Sequence, residues 1–142
     1  MTDGRILGVD PGERRIGIAL SDRAGIIASP HGVIDTKQHD FASRIRAICA
    51  ENDVVLIVVG RPTSLSGYEG PAVDRAKRIA AQAHKATGLP IEFVDERFTT
   101  KQAERALLEG NVRRAERKKI IDKVAASLIL QTYLDRPTRH TQ

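Results

Sequence analysis

Asp10, Glu96 and Asp122 are the side chains whose settings point to chemistry. Asp10 closes the apolar run that starts at Arg5, Glu96 stands just past the run Ile91 to Val94, and Asp122 shares a helical flank with Ala125, Ala126 and Ile129. Where two such runs are strands near each other in one sheet, their carboxyl ends share an edge, the usual ligand edge of open α/β sheets. The small residues beside Asp122 would let a helix backbone press on that edge, with the carboxylate facing inward. Three clustered carboxylates repel one another unless a cation sits among them, and an all-oxygen donor set suits Mg²⁺ or Mn²⁺, as one or two ions. Two such ions about 4 Å apart clamp a phosphodiester, one activating water and the other stabilising the leaving oxygen. No protein nucleophile is then needed, which fits a chain without a Ser-His-Asp pattern.

Each acid also has a plainer use. Asp10 before Pro11-Gly12 suits a turn residue that caps local amides, Glu96 has Arg97 beside it, and Asp122 has Lys118 and Lys119 one turn away. Exposed pairs of that kind contribute about 0–1 kcal/mol. The shared placement of the three, at strand ends and on an apolar helix flank, is what favours the metal site over three separate structural roles.

A second constellation is basic. Arg113, Arg114, Arg117, Lys118 and Lys119 crowd together with Glu116 as the only acid, and Arg14, Arg15, Arg61 and Arg97 lie near the expected acidic edge. Such a cluster binds phosphate backbones; the competing reading is a solvated linker ahead of the last helix. Lys118 and Lys119, so near Asp122, favour phosphate. With three Phe, two Tyr and no Trp, and with Phe41 and Phe93 at core-like positions, a stacking platform for bases is not expected. His31, His39, His84 and His140 show no ligand spacing, and Cys49, the single cysteine, excludes an intramolecular disulfide and a thiolate zinc site.

These residues need elements to position them. Arg5 to Asp10, Arg15 to Ser21 and Ile26 to Ile34 read as strands of a meander, the last interrupted by Pro30 and Gly32. Phe41, Ile45, Ile48 and Cys49 recur at helical spacing between Asp40 and Asn52. Val54 to Val59, wholly apolar, predicts a central strand covered on both faces and ending at Gly60-Arg61-Pro62. The Ser- and Gly-rich stretch Thr63 to Gly70 reads as a loop, Pro71 opens an Ala-rich helix toward Gly88, and Ile91 to Val94 is a last short strand. A third helix is expected from Thr99 or Thr100 to Gly110, and a final one carries Ile120, Ile121, Val124, Ala125 and Leu128. The pattern is a mixed α/β sheet flanked by helices.

At 142 residues the chain suits one domain, 1–142, with a polar tail over 136–142. Its 23 Lys and Arg against 18 Asp and Glu leave a formal charge of +5, compatible with a polyanionic partner. The start has no signal-like apolar segment and no run is long enough to span a bilayer, so a reducing cytoplasmic setting and no membrane partner are expected.

Gly8-Val9-Asp10-Pro11-Gly12 with Arg15-Ile16-Gly17-Ile18-Ala19 and Ser21-Asp22 resembles the first motif of the YqgF/RuvX proteins, the RuvC-like nucleases of the RNase H-like fold. Gly60-Arg61-Pro62, Gly67 and Gly70 resemble that family's glycine-rich loop, Asp95-Glu96-Arg97-Phe98-Thr99-Thr100 its second acidic motif, and Asp122 with Ala125-Ala126 and Ile129-Leu130 its last. The resemblance implies an RNase H-like fold of five strands, three in an antiparallel meander and two parallel. It implies Asp10, Glu96 and Asp122 as metal-binding catalytic acids, with Asp95 the lesser alternative to Glu96. Arg61 departs from the family's usual apolar residue, and Lys123 and Ala126 flank Asp122 where classical junction resolvases carry a further acid. The implied activity is metal-dependent phosphodiester hydrolysis, acting on precursor 16S rRNA at its 5′ end or on four-way DNA junctions, with ribosomal particles as partners in the first case and a monomer favoured. Two other classes stand beside it. One is an ATP cradle over Gly8 to Gly17 like that of sugar kinases, which close two such lobes where this chain has one. The other is a non-catalytic RNA-binding assembly factor, which retention of three repelling acids disfavours.

Overall fold

The computed structural model describes residues 4–62, 70–95 and 114–136, with side chains in the last span from 124 onward. The loop expected over Thr63 to Gly70, apart from Gly70 itself, the helix expected from Thr99 or Thr100 to Gly110, and the tail after Pro137 lie outside the described residues.

Five strands, β1 (Arg5–Asp10), β2 (Arg15–Ser21), β3 (Ala28–Asp35), β4 (Val54–Arg61) and β5 (Ile91–Asp95), form one sheet in the order β3-β2-β1-β4-β5. β1, β2 and β3 pair antiparallel, while β1, β4 and β5 run parallel, as the resemblance implies. β4 is interior as its apolar run predicts, but the middle position belongs to β1. The register shift between Arg5 and Ile6 is accommodated by buried Ser21, whose hydroxyl accepts from Ile6 N at 2.8 Å and donates to the Asp22 carbonyl at 2.7 Å.

Helix α1 (Phe41–Glu51) starts where Asp40 accepts from Ser43 N at 3.0 Å and Ser43 Oγ at 2.8 Å, and these bonds hold the Asp40 carboxyl below its usual range. It stops at Asn52, and Asp53 turns the chain back with φ 53°, a left-handed conformation that Asp tolerates better than most residues. Helix α2 (Pro71–Thr87) has Pro at its first position and ends on Gly88 at φ 76°, whose N–H reaches the His84 carbonyl at 2.7 Å. The last helix, α3, spans Arg114–Asp135.

Strand alternation sorts the core into two layers. Leu7, Val9, Ile16, Ile18, Ile57 and Val59 pack with α1 and α2 on one face, and Ala19, Val58, Ile6 and Val94 pack with Ala126, Ile129 and Leu130 of α3 on the other. Cys49 is buried in the first layer, which pushes its thiol up to about 11.

Three expectations need correction. Ile26 and Ile27 belong to the β2–β3 turn, 61% and 60% exposed, because the Asp22 carboxylate takes the N–H groups of Ile26 at 2.7 Å and Ile27 at 3.2 Å and withdraws them from the ladder. Phe93 is 40% exposed, since β5 is an edge strand that α2 does not fully cover. The basic cluster is not a linker ahead of the last helix: from Arg114 onward it is that helix's own first turns.

Candidate active site

Asp10 ends the middle strand. It follows Ile6 and Gly8 in the strand's alternation, so it lies on the α3 face, half-buried and opposite Gly17 of β2. One step beyond the Val9↔Val59 pairing, the neighbouring position on β4 is Gly60. Glycine on both sides leaves Asp10 as the only side chain in that part of the row.

Gly8 explains how close the helix comes. A Cβ built there would lie 2.7 Å from Leu130 Cβ and 3.1 Å from the Ala126 carbonyl oxygen, so α3 presses its backbone onto β1. The two run in opposite senses. Gln131 accepts from Ala28 N and donates to the Ile26 carbonyl, each at 2.9 Å, tying the C-terminal half of α3 to the sheet end where β1 begins. From Ala126, position 122 is one turn back, about 6 Å along the axis. From Gly8, Asp10 is two residues forward, about 6.6 Å. The backbone thus carries position 122 alongside the end of β1.

The turn after Asp10 is held at three points whose partners the sequence did not reveal. At Gly12 any Cβ would collide with the Arg15 carbonyl oxygen, so no side chain fits. Glu13 pairs with Arg75 of α2 at 3.1 Å, 62 residues away. Arg14 makes a two-pronged contact with Asp35 at 3.2 and 3.3 Å, and its carbonyl accepts from Thr36 N at 2.8 Å and Thr36 Oγ1 at 3.0 Å. The Arg14 hydrogen bonds, then that from Lys37 N, hold the Asp35 carboxyl below its usual range. Glu13 and Arg14 follow Pro11-Gly12 directly, and no local spacing points to partners 62 and 21 residues away.

Of the other expected site residues, Glu96 and Arg113 lie outside the described residues. Asp122, Arg114, Arg117, Lys118 and Lys119 are placed by backbone alone, on the first three turns of α3. Asp95 follows Ile91, which packs with α2, and sits on the face away from Asp10, at the register position of Arg61. An opposite-charge neighbour pair there is a sufficient reason for an acid at 95. The donor chemistry fits a hard cation: Asp10 is an oxygen donor flanked in its row by glycine on either side, beside a helix carrying a second carboxylate position. Among the described side chains, no three of His, Cys, Asp or Glu gather into a possible metal group.

The family model described as "RuvX: Holliday junction resolvase" matches residues 4–136. A Dictyoglomus turgidum protein named "Putative pre-16S rRNA nuclease" is 45% identical over 132 residues, 92% of this chain and 94% of that one. A Clostridium perfringens protein of the same name is 45% identical over 135 residues, 93% and 97% of the two chains. Among solved structures, Thermus thermophilus RuvC in complex with a Holliday junction substrate superposes with a TM-score of 0.55 at 19% identity, covering 89% of this chain and 91% of that one. This similarity establishes the RNase H-like fold. No helix among the described residues is long and apolar enough to cross a membrane.

Proposed function

The chain belongs to the RuvX family, and from that premise we propose that it is a metal-dependent nuclease that trims the 5′ end of precursor 16S rRNA, on ribosomal particles or their precursors. The observation that carries the reading is Asp10 at the end of the middle strand, on the face where α3 packs so closely that only glycine fits at position 8. We assign Asp10, Glu96 and Asp122 as the residues that hold Mg²⁺ or Mn²⁺. Asp95 is set aside because it occupies the opposite face. When bound, the metal would activate water and stabilise the leaving oxygen. The chain's own part is to hold Asp10 rigid through the turn and to bring the helix carboxylate to it.

Arg113, Arg114, Arg117, Lys118 and Lys119 are proposed to grip the phosphate backbone. Two of them, Arg114 and Arg117, fall in the first turn of α3, the positive end of the helix dipole, where a cation costs a few tenths of a kcal/mol. Helix stability therefore does not account for them. Reversing charge at Arg113, Arg114 and Arg117 should weaken RNA binding about equally across sequences and flatten its salt dependence. An unchanged slope would move the binding face elsewhere.

RNA is favoured over a DNA junction because paired symmetric cuts call for a stable dimer. Among the described residues the large exposed apolar side chains are Ile26 and Ile27 at one sheet end and Phe93 on the far edge strand, which do not make one contiguous patch. The test is side-by-side incubation with precursor rRNA and a four-way junction, in Mg²⁺, Mn²⁺ or chelator. Cleavage of the rRNA that requires the divalent ion is expected; undiminished cleavage in chelator, or paired nicks in the junction with the rRNA intact, overturns it.

A further inference from the structure

On the sheet face away from α3, the same edge opens into a cleft of about 700 Å³ between the turn after Asp10 and helix α2. Its floor is the margin of the core, Ile16, Phe41 and Ile79, and one side is closed by the Glu13–Arg75 pair. Along α2, Asp74, Arg78 and Gln82 recur four residues apart, a single helical stripe, and all three line the cleft. They are exposed, and their side chains make no hydrogen bond or ion pair with another described residue.

The charge balance argues against a phosphate here. Glu13, Asp40 and Asp74 face His39 and two arginines, one of which, Arg75, is already tied to Glu13. What the stripe does offer is three planar hydrogen-bonding groups of three kinds: a carboxylate that only accepts, a guanidinium that only donates, and an amide that does both. These match base edges, with Arg suited to guanine O6 and N7, Gln to adenine N6 and N7, and a carboxylate to an exocyclic amino group. A cleft of this volume is large enough for one small polar ligand. Gly12 and Glu13, two and three residues past Asp10, line it, so the cleft and the α3-face carboxylate lie on either side of one turn.

We propose that this cleft receives one unpaired nucleotide of the substrate strand beside the cleaved bond and reads its base through Arg78 and Gln82. The inference rests on the nuclease reading and adds a base preference at one flanking position. The nucleotide must be unpaired, because side chains cannot read bases in the deep, narrow major groove of an RNA duplex.

The test separates the two claims. The protein is used in chelator to select from a pool of single-stranded RNA with randomised positions, so no cleavage is involved, while precursor rRNA cleavage with metal is assayed in parallel. The wild type should enrich one base at one position about fivefold or more, the lower range for a good bidentate contact. The Arg78→Ala, Gln82→Ala double variant should still bind the pool but lose the enrichment, whereas Lys85→Ala, on α2 and not lining the cleft, should keep it. No enrichment by the wild type, or enrichment that survives the double variant, overturns the cleft assignment. So does a loss of affinity uniform across all sequences with enrichment intact, which would make the stripe a backbone contact. Failure of the parallel cleavage assay counts against the nuclease reading alone.

Discussion

Asp10→Asn should abolish cleavage, with a loss of about a thousandfold or more, while the protein stays folded. The substitution keeps the shape of a half-buried side chain at the end of β1 and removes the charge that a hard cation requires. Stability should move by less than about 1 kcal/mol, since Asp10 faces Gly17 across the ladder and its change opens no cavity. Without metal, relief of repulsion among the acids should if anything raise the melting temperature. Circular dichroism melts with and without Mg²⁺ beside the cleavage assay check this. A lower melting temperature in chelator, with activity retained, would identify Asp10 as a turn residue and nothing more.

Gly8→Ala should damage activity from a position with no chemistry of its own. The added Cβ would stand 2.7 Å from Leu130 Cβ and 3.1 Å from the Ala126 carbonyl, and neither a Cβ nor a helix backbone can swing aside, so α3 must shift as a body. Overpacking of this kind costs about 1–3 kcal/mol. A displacement near 1 Å at the helix that carries Asp122 should lower the cleavage rate about a hundredfold. Gly32→Ala is the control, because a Cβ there on β3 meets nothing within 4 Å and both readouts should hold. Full activity with an unchanged melt in Gly8→Ala would mean that the close approach of α3 does not set the site.

What the residues determined by themselves was local and periodic. Asp40 as a helix cap, Pro71 and Gly88 as the bounds of α2, and the apolar run of β4 were legible because capping, ring constraint and alternation act within a few positions. The mixed sheet followed from the order of those elements, and the ordered motifs made the family recognisable. Alternation also showed that Asp10 shares a face with Gly8, but not which helix covers that face. Only the tertiary structure decided that α3 covers it, because the choice depends on contacts between residues more than a hundred positions apart, such as Gly8 with Leu130 and Ala28 with Gln131. The same long-range packing put Asp95 on the opposite face, left Phe93 exposed on an edge strand, and turned Ile26 and Ile27 out to solvent through the Asp22 carboxylate. It also made the cleft, whose two walls, the turn at Glu13 and helix α2 at Arg75, are 62 residues apart and have no shared period to announce them.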